Sequence, residues 1–184
     1  MTTRVAPDGN VGAICQAGYH EGGSHAMNTL PTDSTLSEVS TRENGHGLGV
    51  FAARAFSHDE KIFVFVGSFV SEPDKYTIQV DDAMHLHLGN HIGSLLSHSC
   101  KPNTRFCGEM LSVIAIAPIQ PGEEITFNYL CTEWDMAEPF ECRCGSELCH
   151  RVIRGFRYLS PANQLTLEPH AVPYLKRRVG KNAN

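Results

Sequence analysis

No run in this sequence approaches the roughly 20 consecutive apolar residues that a membrane-spanning helix needs, so a soluble protein without a membrane partner is expected. Positive charge is scarce as well. With 15 Lys and Arg against 20 Asp and Glu, the formal net charge is −5, whereas proteins that bind phosphate backbones concentrate cations on one face. Direct nucleic-acid binding is therefore not expected, and the short basic run Lys176-Arg177-Arg178 reads as a solvated face. Residues 1 to 40 lack a basic start followed by an apolar stretch of about 7 to 15 residues, and the cysteine count of seven is odd. Both features argue against a disulfide framework and for an intracellular, reducing compartment. Nothing in the composition specifies an oligomeric state.

A chain of 184 residues, 41% of them hydrophobic, is long enough for one core that buries about two-thirds of the unfolded surface. Residues 1 to 40 are rich in Gly, Ser, Thr, Asp and Asn and show no sustained periodicity, which predicts a disordered or extended arm. Within it, Cys15 has no nearby partner, and Gly22 to Met27 reads as a tag remnant or a later natural start at Met27.

From Gly49 onward, short apolar runs alternate with turns. The runs Gly49 to Ala53, Ile62 to Val66, Phe69-Val70, Tyr76 to Val80, Leu111 to Ala117 and Ile125 to Tyr129 predict strands at the spacing of a mainly β protein. Between them, Ser57-His58-Asp59 and Gln120-Pro121-Gly122-Glu123 carry turn chemistry. Leu86, Leu88, Ile92, Leu95 and Leu96 suggest one short helix over 84 to 97, interrupted by Gly89 and Gly93. Near the C-terminus, Ser160-Pro161 is a helix-start signal and Gly180 a stop, so one or two short helices should close the chain.

Three cysteines crowd into Cys142-Arg143-Cys144-Gly145-Ser146-Glu147-Leu148-Cys149. In a reducing compartment such spacing reads as metal ligation. Haem attachment needs Cys-x-x-Cys-His, which is absent here, and iron–sulfur sites use other runs of spacings. Cys107 and Cys131 read as small buried hydrophobes.

Four motifs occur in a fixed order. They are Gly47-Leu48-Gly49-Val50-Phe51-Ala52, then Leu96-Ser97-His98-Ser99-Cys100-Lys101-Pro102-Asn103, then Gly122-Glu123-Glu124-Ile125-Thr126-Phe127-Asn128-Tyr129, then the cysteine cluster. In that order, over residues 40 to 160, the chain resembles the SET-domain methyltransferases that carry a short post-SET zinc segment and lack a pre-SET region. The resemblance implies a β-clip fold of small sheets with a threaded C-terminal segment, which is exceptional because threaded chains are rare. It divides the chain into an arm (1–40), a SET domain (41–130), a post-SET zinc module (138–155) and a helical tail (156–184).

The implied activity is transfer of a methyl group from S-adenosylmethionine to an amine, a protein or peptide lysine first, with a small-molecule or carrier-bound amine as the alternative. A zinc-stapled interaction module without activity is the reading from another class. Lysine, with an ordinary pKa of about 10.4, costs about 3.3 kcal/mol to deprotonate at pH 8. An apolar channel and a neighbouring sulfonium lower that cost, so no carboxylate base is required.

By resemblance, Tyr129 would orient the amine, Phe127 would line the lysine channel and Tyr76 is a further channel candidate. His46, Gly47, Leu48 and Gly49 would approach the cofactor, Ser97 and His98 would contact its adenine, and Phe140 and Ile153 would close on it. Cys100, Cys142, Cys144 and Cys149 would hold one zinc ion as a closed tetrahedral site. Glu123-Glu124 reads as a turn residue and a buried anchor rather than an acid/base pair, because adjacent strand residues face opposite ways.

Several positions depart from the family. Ser97 stands where Asn is usual, Asn128 where Asp is usual, Val64 and Ser68 where Glu is common, and Arg151 where Gly follows the last cysteine. The stretch between Gly67 and His98, which builds much of the peptide groove in the family, is short.

Overall fold

The computed structural model describes residues 37–179. Twelve strands lie among them, in five small sheets. β1 (Val39–Glu43) and β2 (Leu48–Ala52) form an antiparallel hairpin from Val39↔Ala52 to Glu43↔Leu48. Its loop places Gly47 at φ 128°, a left-handed conformation that favours glycine. Val39 and Ser40, expected within the arm, belong to β1.

The central sheet orders β3 (Lys61–Val64), β9 (Ser112–Ala115) and β8 (Thr104–Cys107) as β3-β9-β8. Every residue of β9 is buried, so both faces of that strand are covered. Phe65 meets Phe63 and Phe106 edge-on, each pair with centroids 5.4 Å apart, to make the aromatic heart of the core.

A second sheet, β4 (Ser68–Val70), β6 (Met84–His87) and β5 (Thr77–Asp81), has β6 in the middle. This corrects the helix expected over 84 to 97. Leu86 and Leu88 are buried at a period of two, as in a strand, and Gly89 turns the chain at φ 53°. Only Ile92–Leu95 forms a 3-10 turn, in which a Cβ at Gly93 would collide with the ring of Phe65.

The pair β7 (Ser97–His98) and β10 (Thr126–Phe127) runs parallel, with Ser97↔Thr126 and His98↔Phe127 in register. Parallel neighbours need a long crossover; here residues 99–125 supply it through β8 and β9. Asn103 ties the crossover down: its Nδ2 donates to Glu124 O at 2.8 Å and its Oδ1 accepts from Thr126 N at 2.9 Å.

The strand expected over Ile125 to Tyr129 is cut short after Phe127, because Asn128 Oδ1 accepts from Leu130 N at 3.1 Å and caps a 3-10 turn, Tyr129–Cys131. Asn128 Nδ2 is buried with no partner among the described residues, where the expected Asp would have carried no donor.

β11 (Phe140–Glu141) and β12 (Val152–Ile153) form the last hairpin. The closing helices are α1 (Pro161–Leu167), capped by Ser160 Oγ accepting from Asn163 N at 3.3 Å, and α2 (Pro173–Lys176). Tyr174 is buried and its hydroxyl donates to Thr132 O, so the tail clamps the turn that follows Tyr129. The expectations for residues 1–36 and for Gly180 lie outside the described residues.

Candidate active site

The parallel pair and the turn after it bring the second and third motifs to one place. Tyr129 N donates to His98 Nδ1 at 3.2 Å, and the Tyr129 hydroxyl donates to Leu96 O. Because Nδ1 accepts, the neutral ring carries its proton on Nε2, which lies 3.3 Å from Cys100 Sγ. Burial, with His150 nearby, pushes His98 down to about 4, so the ring is neutral at ordinary pH. Burial likewise raises the Tyr129 phenol well above its ordinary value, with Glu133 and Glu124 adding to the effect. Tyr129 is therefore a fixed, neutral donor.

Two cavities meet at this residue. The smaller, about 250 Å³, is walled by Tyr76, Ile78, Leu88, Phe127, Met136 and Glu133. The larger, about 800 Å³, is walled by Asn44, His46, Leu48, Ser97, His98 and Glu124. Leu96, Tyr129 and Phe140 line both. The rings of Phe127 and Phe140 stand 4.8 and 6.0 Å from that of Tyr129.

Phe127 and Tyr129 thus share a wall although they do not share a strand. Tyr76 lines the smaller cavity from just before β5 rather than from within it, and is 43% exposed. Among the residues expected at the cofactor, His46, Leu48, Ser97, His98 and Phe140 line the larger cavity, whereas Gly47, Gly49 and Ile153 do not. Ile153 is fully buried behind Phe140, its partner in β11–β12. A Cβ at Gly49 would collide with Glu124 Oε1 and stand 2.8 Å from Asn44 Nδ2, so this glycine makes room for those side chains.

Asn44 and Glu133, outside the four motifs, also line the cavities. Glu124 Oε1 accepts from Ser97 Oγ at 2.6 Å and from Asn44 Nδ2 at 2.5 Å, which fits the expected anchor and adds a wall to the larger cavity.

The cysteine cluster closes the far side. The Sγ atoms of Cys100, Cys142, Cys144 and Cys149 all lie within 4.8 Å of one another. Cys100 and Cys142 Sγ are 3.9 Å apart, close to the roughly 3.8 Å edge of a tetrahedron with metal–sulfur bonds of about 2.3 Å. Main-chain N–H groups of His150 and Arg151 point at Cys100 and Cys149 Sγ, each at 3.4 Å. Burial raises the Cys100 thiol strongly and pushes Cys142 up to about 11, so negative charge on these two sulfurs needs a cation to balance it. The donor set can hold a metal ion. Arg151, in the place of the family's glycine, is held at φ 65°.

Comparison with known proteins agrees with this geometry. The chain is 32% identical over 115 residues to a methyltransferase, flvH, of Aspergillus flavus, covering 59% of this chain and 64% of that one. It is 27% identical over 158 residues to an H3 lysine-36 specific histone-lysine N-methyltransferase of Chaetomium globosum, covering 73% of this chain and 17% of that one. The chain therefore spans less than two-thirds of either relative. Its fold is similar to the crystal structure of KRYPTONITE in complex with mCHG DNA and SAH, with a TM-score of 0.51 at 17% identity, over 60% of this chain and 27% of that one. The SET domain family matches residues 47–130, from the turn of the first hairpin to the residue after Tyr129.

Proposed function

We propose that the protein transfers a methyl group from S-adenosylmethionine to an amine, with a protein lysine as the first substrate class. The observation that carries this reading is the meeting of the two cavities at Leu96, Tyr129 and Phe140. The larger has a volume suited to a cofactor, within the roughly 300 to 1,000 Å³ common for small-molecule sites. The smaller takes one slender side chain. S-adenosylmethionine would supply an electrophilic methyl group on a sulfonium.

The chain's own residues supply orientation and dryness. Tyr129, held by Leu96 O and by His98, fixes the passage between the cavities. Phe127, Ile78, Leu88 and Met136 exclude water and so favour the neutral amine. The four cysteines would hold a structural zinc ion that binds the hairpin β11–β12 to the parallel pair, keeping Phe140 against Tyr129.

Similarity to histone-lysine methyltransferases supports a lysine substrate. A free small amine is the second reading, favoured by the short stretch between β4 and β7, which leaves Tyr76 at an exposed mouth.

Tyr129→Phe tests the proposal. The variant should fold and bind S-adenosylhomocysteine as the parent does, and lose transfer by about 10²- to 10³-fold, as when one aligned donor is removed from a reaction centre. Equal turnover by variant and parent would refute the role of Tyr129.

A further inference from the structure

Glu133 is a buried carboxyl group beside the smaller cavity, and the motifs give it no role. It is 8% exposed and lines that cavity together with Phe127 and Tyr76. Its two protein hydrogen bonds converge on one oxygen: Oε1 accepts from Gln79 N at 2.9 Å and from Thr132 Oγ1 at 3.1 Å. Oε2 accepts none from the described residues and is not among the fully enclosed polar atoms without a partner. A buried carboxylate with a bare oxygen is costly unless a cation or donor meets it.

The rest of the lining has the same sign. Asp74 and Glu138 stand at the exposed mouth, against a single cation, Lys75, whose ammonium lies 4.8 Å from the Tyr76 ring centroid. Three carboxyl groups around a cavity of about 250 Å³ draw cations in.

We propose that Glu133 is the substrate-recognition carboxylate of the amine channel: its Oε2 receives the ammonium group of an incoming alkylamine on entry, before the amine loses the proton that it must shed for transfer, and this makes the cavity admit cationic amines in preference to neutral chains of the same length. The inference rests on the methyl-transfer reading of the same site and specifies its substrate side. Apolar walls alone would admit an alcohol as readily as an amine. Glu133 supplies the discrimination, and its bonds to Gln79 and Thr132 hold it in place while it does so. Backing comes from Gln79, whose Oε1 accepts from Trp134 N at 2.9 Å, so that β5 and the segment 132–134 grip each other on both sides of the carboxylate.

The test uses the full chain saturated with S-adenosylhomocysteine and two probes, n-butylammonium and 1-butanol, followed by NMR titration. The parent should bind the ammonium at least tenfold more tightly than the alcohol. Glu133→Gln keeps an acceptor for Gln79 N and removes the charge; it should lose that preference while its affinity for butanol stays within twofold of the parent. Asp74→Asn and Glu138→Gln, at the exposed mouth, should change the ammonium affinity by less than threefold.

A parent that prefers neither probe overturns the inference without any variant. A Glu133→Gln chain that folds and keeps the ammonium preference also overturns it, as do mouth variants that abolish the preference alone. Failure of every chain to bind S-adenosylhomocysteine would instead count against the methyl-transfer reading, and the probe titrations would still report on Glu133.

Discussion

Ser97 Oγ donates to Glu124 Oε1 at 2.6 Å, joining the first strand of the parallel pair to the residue two before the second strand. Asn44 Nδ2 donates to both Ser97 Oγ, at 2.9 Å, and Glu124 Oε1. The serine found in place of the family's asparagine is thus built into a triad at the wall of the larger cavity. Ser97→Ala should cost about 1.5 kcal/mol, the low end for a bond to a charged group because the site is half open to solvent. It should also weaken S-adenosylhomocysteine binding several-fold. Denaturant melts and calorimetry on the same samples would check both, and unchanged binding would mean that the triad only braces the sheet.

The methyl count is expected to depend on Phe127. Its ring is buried 4.8 Å from that of Tyr129 and carries no hydroxyl to hold the amine or a water. If the substrate is a lysine, the parent should proceed beyond one methyl group. Phe127→Tyr should shift products toward the mono form by about 2- to 13-fold, the worth of one hydrogen bond of about 0.5 to 1.5 kcal/mol. Intact-mass analysis of a methylated peptide reads the ratio directly, and an unchanged ratio would remove Phe127 from the channel.

Removing the metal should loosen the hairpin β11–β12 from the body. One zinc ion per chain is expected on Cys100, Cys142, Cys144 and Cys149. Chelation should abolish transfer and expose the amides of β11–β12 to hydrogen exchange while β3, β8 and β9 stay protected, since three of the four ligands lie beyond the core strands. Active protein without zinc would refute the assignment. Loss of protection throughout would make the site a staple of the whole fold.

Arg151 is exposed and held at φ 65° between Cys149 and β12. A left-handed conformation costs a side-chain-bearing residue about 1 to 2 kcal/mol, against about 0.5 to 1 kcal/mol for the extra freedom of glycine in the unfolded chain. Arg151→Gly should therefore stabilise the metal-loaded protein by about 0.5 to 1 kcal/mol, seen as a higher melting temperature. A lower one would show that the arginine side chain makes up for its backbone.

Glu133 should make stability fall as pH rises. Desolvation pushes its carboxyl up to about 7, against the bonds from Gln79 and Thr132 that favour the charged form. Below about pH 4.5 the group is protonated both folded and unfolded, and no penalty arises. Between about 4.5 and 7 the native state holds a proton that the unfolded chain has lost. Stability therefore declines through that window and levels off above it, by an amount on the order of 3 kcal/mol. The parent and Glu133→Gln, melted at pH 5 and pH 8, should differ in slope by roughly this much; parallel slopes would mean that the carboxylate is solvated.

Local residue order alone made the β-rich body, the capped start of α1 at Ser160 and the cysteine cluster legible, because turn chemistry, helix capping and ligand spacing act over a few neighbouring residues. The same locality hides the strand β6: Leu86, Leu88, Ile92 and Leu95 fit a helical face until Gly89 turns the chain and Phe65, just after β3, takes the space beside Gly93. Phe127 and Tyr129 were grouped through a shared strand that does not exist, and their rings meet only because Asn128 caps a turn between them. Asn44, Glu124 and Glu133 gained their places at the cavities from partners 53 to 80 residues away in the chain, among them Ser97 and Gln79. The sequence could name the groups able to carry chemistry, but which of them face one another was decided by the crossover that lays β10 beside β7, since only long-range packing brings such groups within hydrogen-bond reach.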